Sequence, residues 1–308
     1  MTAAGPDVTA AARPAGQPGT DPGARKPSAG RAAGRRNPWL RGMVYLALVV
    51  AAIAYIYPFL LELGTAFKTE TDAVGHPTNP LPHNWVVTGF TQLGQEDFPR
   101  WLLNSVIVAV FVTAGRLLFD SMAGYALARL RFRGRQALFT AVVAVIAVPG
   151  VVLLIPKFLV IKELGIYDSY PGLIVPLLAD ASGVFIMKQF FESIPRSIEE
   201  AAHIDGAGTF RTFWSVVLPM ARPALIALTI LAFQASWNDF SDILIAHQSP
   251  ALDTLTTGVG RLVSGQLGTA TQYPLKLAAA VAMTVPVAVI FFVFQKYIMR
   301  TTDGAVKE

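Results

Sequence analysis

The chain has 308 residues, of which 53% are hydrophobic and 15% are charged, and its mean hydropathy is +0.49. Soluble domains carry about 25% charged residues, so this composition excludes a globular protein that faces water on all sides. The sequence contains no cysteine, which excludes disulfides and thiolate metal sites. The formal charge of +5 raises the question of nucleic-acid binding. The basic residues cluster beside apolar runs, however, as they do in membrane-protein loops, so we expect no nucleic-acid partner.

The beginning of the chain is predicted to be a disordered cytoplasmic tail of 38 residues. Residues 1–36 contain no aromatic residue, Leu or Ile, and Ala, Gly and Pro dominate them. Such a segment cannot bury enough apolar surface to fold. We expect no cleaved signal peptide, because the first apolar run begins late and further runs follow it.

Six apolar stretches follow, and they predict an all-α polytopic membrane protein. A helix needs about 20 apolar residues to cross the hydrocarbon core, and its backbone groups must be satisfied internally. The predicted spans are 42–63, 101–128, 137–160, 172–191, 223–246 and 277–297. The first, third and sixth are the clearest, because the others contain or approach charged residues.

The orientation follows from the loop between the second and third predicted spans. This loop holds Arg129, Arg131, Arg133 and Arg135 within seven residues. Short loops rich in Lys and Arg lie on the cytoplasmic side. We therefore expect a plasma-membrane protein with both termini and the 192–222 loop inside the cell and the 62–100 loop outside.

The second and fourth predicted spans contain Arg116, Asp120 and Asp180, and charged residues inside spans are functional candidates by default. Arg116 and Asp120 lie one helical turn apart, so we expect them to neutralise each other as a structural pair rather than to relay protons. Asp180 has no evident partner, and we expect it to face the helix bundle.

The most polar interruption of the apolar pattern is residues 199–224, which read EEAAHIDGAGTFRTFWSVVLPMARPA. Ser197 followed by Glu200 fits a capping box at the start of a short helix. Gly206 fits the left-handed residue that ends it, and Thr209 is placed to cap a second short helix. The pattern predicts a helix–turn–helix along the membrane surface.

Three functions suit this segment: metal binding, catalysis and docking of a soluble partner. Glu200-x-x-His203 has di-iron spacing, but di-iron bundles need that motif twice and two further glutamates. We therefore expect no metal site. The spans show no nucleophile–base pair, so we expect no catalytic residues and no enzyme. Docking is the function that a short, capped helix pair suits best.

The same segment carries a resemblance to a known family. Glu200-Ala201-Ala202, three residues, Gly206, nine residues and then Val216-x-Leu218-Pro219 resemble the EAA motif of ABC-importer permeases. We call residues 199–219 the EAA segment. Asp205-Gly206-Ala207 agrees with the sugar-permease form of the motif.

Further stretches resemble the maltose-transporter-type, second-permease branch of carbohydrate importers over residues 40–308. They are NSVIVAV and SMAGYALARLRFRGR within 104–135, LGIYDSYPGLIVP at 164–176, SWNDF at 236–240, TLTTGV at 254–259 and DGAVKE at 303–308. The resemblance implies a type I ABC importer permease of the MetI-like fold, with six transmembrane helices and a cytoplasmic coupling helix.

This resemblance also implies a domain organisation. A first transmembrane helix and an extracellular loop would occupy 39–99. The permease domain would follow in 100–297, with coupling helices at about 196–214, and a cytoplasmic C-terminal tail in 298–308. The residues implied to couple the permease to an ATPase are Glu200, Ala201, Ala202, Asp205, Gly206, Ala207, Leu218 and Pro219.

The implied partners are a cytoplasmic ATPase dimer, a second homologous permease subunit, an extracellular solute-binding protein and a sugar. The sequence contains no G-x-x-x-x-G-K-[ST] phosphate loop, so we expect ATP and Mg²⁺ on the ATPase and no cofactor on this chain. The alternative is an ion-coupled secondary transporter that uses the charged residues of the spans.

A short stretch of the fifth predicted span suggests where a sugar binds. Gln234, Trp237, Asn238 and Asp239 combine hydrogen-bonding groups with an aromatic face, which is the mixture that sugar recognition uses. Two structural explanations compete with this one. Trp is common at the membrane interface, and Asn and Asp bridge neighbouring helices.

Overall fold

The computed structural model describes residues 38–265 and 272–304, and those residues form helices and connecting segments without a strand. The chain divides into two units. Of the first, residues 1–52, the described part is the beginning of the first helix. The second unit, residues 53–308, contains the rest of the described chain. The predicted tail lies outside the described residues up to position 37.

The helices of the N-terminal half alternate between long and short elements. They are α1 (Pro38–Ala66), α2 (Glu70–Gly75), α3 (Thr88–Leu93), α4 (Phe98–Arg129), α5 (Arg135–Ile146), a 3₁₀ turn (Gly150–Leu153), α6 (Leu154–Glu163), α7 (Tyr170–Ile174), a second 3₁₀ turn (Val175–Leu177) and α8 (Ala181–Ser193).

The C-terminal half contains the EAA segment and the last long helix. Its elements are α9 (Arg196–Ile204), α10 (Thr209–Thr212), a π-helical turn (Phe213–Val217), α11 (Leu218–Met220), α12 (Arg222–Trp237), α13 (Ser241–Ala246), a 3₁₀ turn (Pro250–Leu252), α14 (Leu255–Val263) and α15 (Tyr273–Gly304).

Three helices of the described chain are long and apolar enough to cross a bilayer without a break. They contain the stretches Arg41–Ala66, Phe98–Arg129 and Tyr273–Phe294. These match the first, second and sixth predicted spans. The last helix continues to Gly304, past the predicted end of the span at 297.

The other three predicted spans are bent, and the structure corrects them. Arg135–Ile146 and Gly150–Glu163 meet at 104°, Tyr170–Leu177 and Ala181–Ser193 at 41°, and Thr209–Met220 and Arg222–Trp237 at 80°. Counting each bent pair as one span gives six. Each break has a proline at it or just before it, with Pro149 at the first and Pro176 and Pro219 two residues before the second and the third, and a proline ring removes a helical hydrogen bond. The third bend lies just before residue 223, the predicted start of the fifth span. Residues 238–240 separate α12 from α13 within 223–246, so that span is not one helix.

The two helices α4 and α8 pack closely, because small residues line their contact. A Cβ atom on Gly124 of α4 would lie 2.8 Å from the Cβ of Met187 on α8. Small residues allow this approach between membrane helices. The buried cluster beside the contact contains Tyr125, Phe191 and Phe213, so it joins both helices to the EAA segment.

Candidate functional site

The EAA segment folds as two short helices joined by a tight turn, as predicted, but its helices begin differently. The N-cap of α9 is Pro195 and that of α10 is Gly208, and neither makes a side-chain cap hydrogen bond. The predicted caps Ser197 and Thr209 both lie inside the helices. Pro195 already has the extended ψ of 133° that an N-cap needs, so the helix begins one residue after it and the predicted capping box does not form.

The turn after α9 is a Schellman motif centred on Gly206. Gly206 has φ +81°, which confirms the predicted left-handed residue. Its N–H donates to the carbonyl of His203 at 3.0 Å, and the N–H of Ala207 donates to the carbonyl of Ala202 at 2.9 Å. These two bonds satisfy carbonyls that the helix end would otherwise leave free. The His203 ring adds a contact of 2.8 Å from Nδ1 to the carbonyl oxygen of Ala207.

The two adjacent glutamates at the start of α9 differ in exposure and in pairing. Glu199 is only 12% exposed and pairs with Arg129 at the end of α4, with 2.8 Å between Oε1 and Nε. Arg129, only 5% exposed, also donates to the carbonyls of Phe191 and Ile194. Glu200 is exposed. Arg129 therefore fixes α9 to the preceding spans and leaves the Glu200 carboxylate free to meet another molecule.

The remaining predicted coupling residues also divide into exposed residues and residues that pack against the core. Ala201, Asp205 and Gly206 are exposed, and Ala202 is buried against the core. Leu218 packs against the core cluster that contains Phe213. Two further predicted residues complete the set: Ala207 follows the turn half-buried, and Pro219 is exposed where the chain bends toward α12.

Two exposed apolar residues of this surface were missed by the sequence analysis. Ile204 is 86% exposed and Phe210 is 69% exposed. Core-facing positions of α9 recur with the helical period at Ile198, which is partly buried, and Ala202, which is buried. Ile204 breaks this period, and that signal was available in the sequence. Large exposed apolar side chains beside a charged rim are typical of a protein-binding surface.

The charged residues of the second span do not form the pair that the sequence suggested. Arg116 Nε donates to the carbonyl of Leu177 at 2.9 Å, and Asp120 Oδ1 accepts the N–H of Asp180 at 2.9 Å. Both therefore bind backbone groups that the break between α7 and α8 leaves free. The Asp180 side chain caps α8 by accepting from the N–H groups of Ser182 and Gly183, which gives it the partner that the sequence did not reveal.

The four predicted sugar-binding residues lie at the end of α12, and only part of the set is accessible. Gln234 and Asn238 are exposed, and Asp239 is half-buried. Trp237 is buried: its Nε1 donates to the carbonyl of Met283 at 3.2 Å, and its ring stacks on Phe233. The indole is therefore buried against Phe233 of α12 and bonded to α15, and it is not available to a ligand.

A cluster of polar side chains lies between α1 and α4, in a segment to which the sequence assigned no function. Asp72, His76 and His83 bring one carboxylate and two imidazoles within 4.8 Å of one another. The backbone N–H of His83 donates to the Asp72 carboxylate, and this bond, with those from both imidazoles, lowers the pKa of Asp72.

The model of one protein family matches the larger part of the chain. It describes a binding-protein-dependent transport system inner membrane component and matches residues 120–303. Similar curated proteins include the sulfoquinovosyl glycerol transport system permease SmoH of Agrobacterium fabrum, 33% identical over 85% of this chain and 93% of its own length. Another is the arabinooligosaccharides transport system permease AraQ of Bacillus subtilis, 33% identical over 85% of this chain and 94% of its own.

The fold is also similar to that of a solved structure. One chain of a bacterial ABC transporter involved in the import of the acidic polysaccharide alginate superimposes with a TM-score of 0.74. It is 25% identical to this chain, and the match covers 85% of this chain and 98% of that one.

Proposed function

The chain belongs to the family of binding-protein-dependent transport system inner membrane components, and on that basis we propose how its exposed surfaces work. The protein is a permease subunit of an ABC importer and not an enzyme. We propose that it forms half of the translocation pathway for a sugar or a sugar-containing solute, which a solute-binding protein delivers. The substrates named for SmoH, AraQ and the alginate transporter all contain a sugar unit, which supports this class.

The EAA segment is the surface that binds the ATPase subunit in this proposal. The argument rests on the contrast between Glu199, which is mostly buried and paired, and Glu200, which is exposed. A coupling element needs one face fixed to the spans that it moves and one face free for the partner. The Glu199–Arg129 pair supplies the first. Exposed Glu200, Ile204 and Phe210 supply the second, with an acidic group for a basic residue and apolar side chains for a cleft.

The orientation that this function requires is supported by two contacts. Arg129 and Arg135 bound the arginine-rich loop, and they pair with Glu199 and Glu192 respectively. The arginine-rich loop and the EAA segment are therefore on one side of the membrane. Since loops of this charge lie in the cytoplasm, the EAA segment faces the compartment that contains ATP, and the 62–100 loop faces outward.

In this proposal the chain forms half of the translocation pathway, and ATP hydrolysis takes place on other subunits. The sequence has no phosphate-binding loop of the ATPase kind, so two ATPase subunits and a second permease subunit complete the importer. Gln234 and Asn238, which are exposed one turn apart at the end of α12, are the residues that we propose contact the sugar. The half-buried Asp239 contributes beside them, and Trp237 supports this end of the helix by packing.

The rival function, ion-coupled transport by this chain alone, has less support. It would use Arg116, Asp120 and Asp180, but each of the three makes a hydrogen bond to the backbone at the break between α7 and α8, although Oδ2 of Asp120 has no hydrogen-bond partner among the described residues. Membership of a binding-protein-dependent family also favours transport driven by ATP.

Reconstitution of the importer with its ATPase and second permease tests the proposal. We expect Glu200→Lys to lower sugar-stimulated ATP hydrolysis by about tenfold, which corresponds to a loss of about 1.4 kcal/mol of binding to the ATPase. Glu163→Lys is the matched control, because it makes the same charge change at an exposed residue of α6. Equal effects of the two variants would contradict the proposal, as would sugar uptake by the purified chain alone.

A further inference from the structure

Two imidazole side chains of the loop after α1 converge on a single carboxylate oxygen. Oδ1 of Asp72 lies 3.1 Å from Nδ1 of His76 and 2.7 Å from Nδ1 of His83. The two imidazole rings lie side by side, with their centroids 4.4 Å apart. Two nitrogen ligands and one oxygen ligand thus surround the same small volume. Nothing in the transport function derived above requires them to do so.

The loop holds this arrangement in place through bonds made by its backbone. Lys68 is fully buried, and its Nζ donates to the carbonyls of His76 at 2.8 Å and Asn79 at 2.6 Å. Tyr57 Oη donates to the carbonyl of Thr78 at 2.5 Å. A Cβ on Gly64 would come within 1.7 Å of the Pro80 carbonyl oxygen, so the end of α1 and the returning loop are in close contact. These contacts hold the backbone of the loop at His76, Thr78 and Asn79, in addition to the bonds that His76 and His83 make to Asp72.

Asp72 is itself fixed at both ends. Its N–H donates to the side chain of Thr69, the N-cap of α2, at 3.2 Å. Its Oδ2 accepts the N–H of His83 at 3.0 Å. Oδ1 then remains for the two imidazoles. The Asp72 side chain is 9% exposed, while those of His76 and His83 are 57% and 55% exposed. The Asp72 carboxylate is therefore the buried part of this group, and the two histidines are its solvent-exposed part.

We propose that Asp72, His76 and His83 form a binding site for a divalent transition-metal ion of the zinc class. Bonds of about 2.0 Å that meet tetrahedrally leave ligand atoms about 3.3 Å apart. The distance from Asp72 Oδ1 to His76 Nδ1 is already close to that value at 3.1 Å, and the 2.7 Å distance to His83 Nδ1 would have to lengthen by about 0.6 Å when an ion replaces the hydrogen bond. Imidazole nitrogen suits Zn²⁺, Cu²⁺ and Ni²⁺, whereas Mg²⁺ and Ca²⁺ prefer oxygen ligands. The exposed side leaves the fourth position for water. The bound ion would join α2 to the segment that contains His83.

Equilibrium dialysis of the full-length chain against Zn²⁺, with purification through a histidine-free affinity tag, tests the site. We expect one high-affinity ion per chain, and Co²⁺ in its place should give the visible absorption of a tetrahedral complex. Loss of a supporting residue around a metal weakens binding by 10–100-fold. Loss of a ligand in His76→Ala or His83→Ala should therefore weaken it by more than about 100-fold. Excess Mg²⁺ should not compete.

The matched control is His203→Gln, which removes an exposed histidine in the EAA segment, far along the chain from the cluster. It should bind Zn²⁺ as the unmodified chain does. If the unmodified chain does not bind Zn²⁺, the proposal is overturned and the three residues are a hydrogen-bonded group only. Unchanged binding in both His76→Ala and His83→Ala, or loss in His203→Gln, would also overturn it. The helical circular dichroism signal of each variant shows whether it folds. If one of the two variants His76→Ala and His83→Ala fails to fold, Zn²⁺ binding by the other tests the site. The outcome is independent of ATPase coupling.

Discussion

Two glycines of the EAA segment allow backbone strain to be separated from steric bulk. A Cβ added to Gly206 or to Gly208 would meet no atom within 4 Å, but Gly206 has φ +81° whereas Gly208 has φ −71°. A non-glycine residue in the left-handed region costs about 1–2 kcal/mol. Gly206→Ala should incur that cost without any clash. Gly208→Ala removes no side-chain cap bond, and we expect its effect to stay within about 0.5 kcal/mol.

The cost should be visible in the two bonds that close the turn. A penalty of 1–2 kcal/mol changes the open fraction by about 5–30-fold. In Gly206→Ala, hydrogen–deuterium exchange should therefore accelerate by that factor at two backbone amides, those of positions 206 and 207. Gly206→Asn should be milder, because Asn tolerates left-handed backbone. Sugar-stimulated ATP hydrolysis in the reconstituted importer should fall in the same order. Equal exchange in Gly206→Ala and Gly208→Ala would refute the reasoning.

Three further predictions concern the two glutamates and the proposed sugar contact. Arg129→Met leaves Glu199 buried without its cation and should destabilise the chain by about 3–5 kcal/mol, measured as a lower melting temperature. The double variant Arg129→Met with Glu199→Met should recover much of this loss of stability. No recovery in the double variant would count against a local pair. Glu200→Lys should leave that melting temperature unchanged while reducing ATPase co-purification, so a large drop in stability would show that Glu200 only supports its helix. Asn238→Ala should lower sugar uptake in an importer that assembles normally, and wild-type uptake would remove Asn238 from the pathway.

Properties that depend on length and local pattern were predictable from the sequence. The apolar stretches identified the membrane helices, and the all-α fold class is confirmed. Gly206 could be assigned because the left-handed residue that ends a helix is usually a glycine. The bends at Pro149 and Pro219 were harder to predict. Membrane helices tolerate proline when neighbours satisfy the freed carbonyls, and the sequence does not show which neighbours do so.

Properties that depend on distant contacts were missed. Arg129 looks like one more charge of a basic loop, yet it pairs with Glu199, 70 positions later in the chain. Trp237 looks available to a sugar until the Met283 carbonyl on α15 accepts its N–H. Asp72 and His83 are brought together by a loop whose return is set by buried Lys68. In each case the partner lies outside any local window of the sequence.

Site-specific cross-linking tests the central claim that the exposed face of the EAA segment contacts the ATPase. Because the sequence has no cysteine, Ile204→Cys introduces a single thiol at a position that is 86% exposed. Val74→Cys on α2 is the matched control, 59% exposed and expected on the opposite side of the membrane. With a thiol-specific photocrosslinker in the assembled importer, we expect a covalent product between Ile204→Cys and the ATPase subunit and none from Val74→Cys. A product from Val74→Cys alone, or from neither variant, would contradict the account.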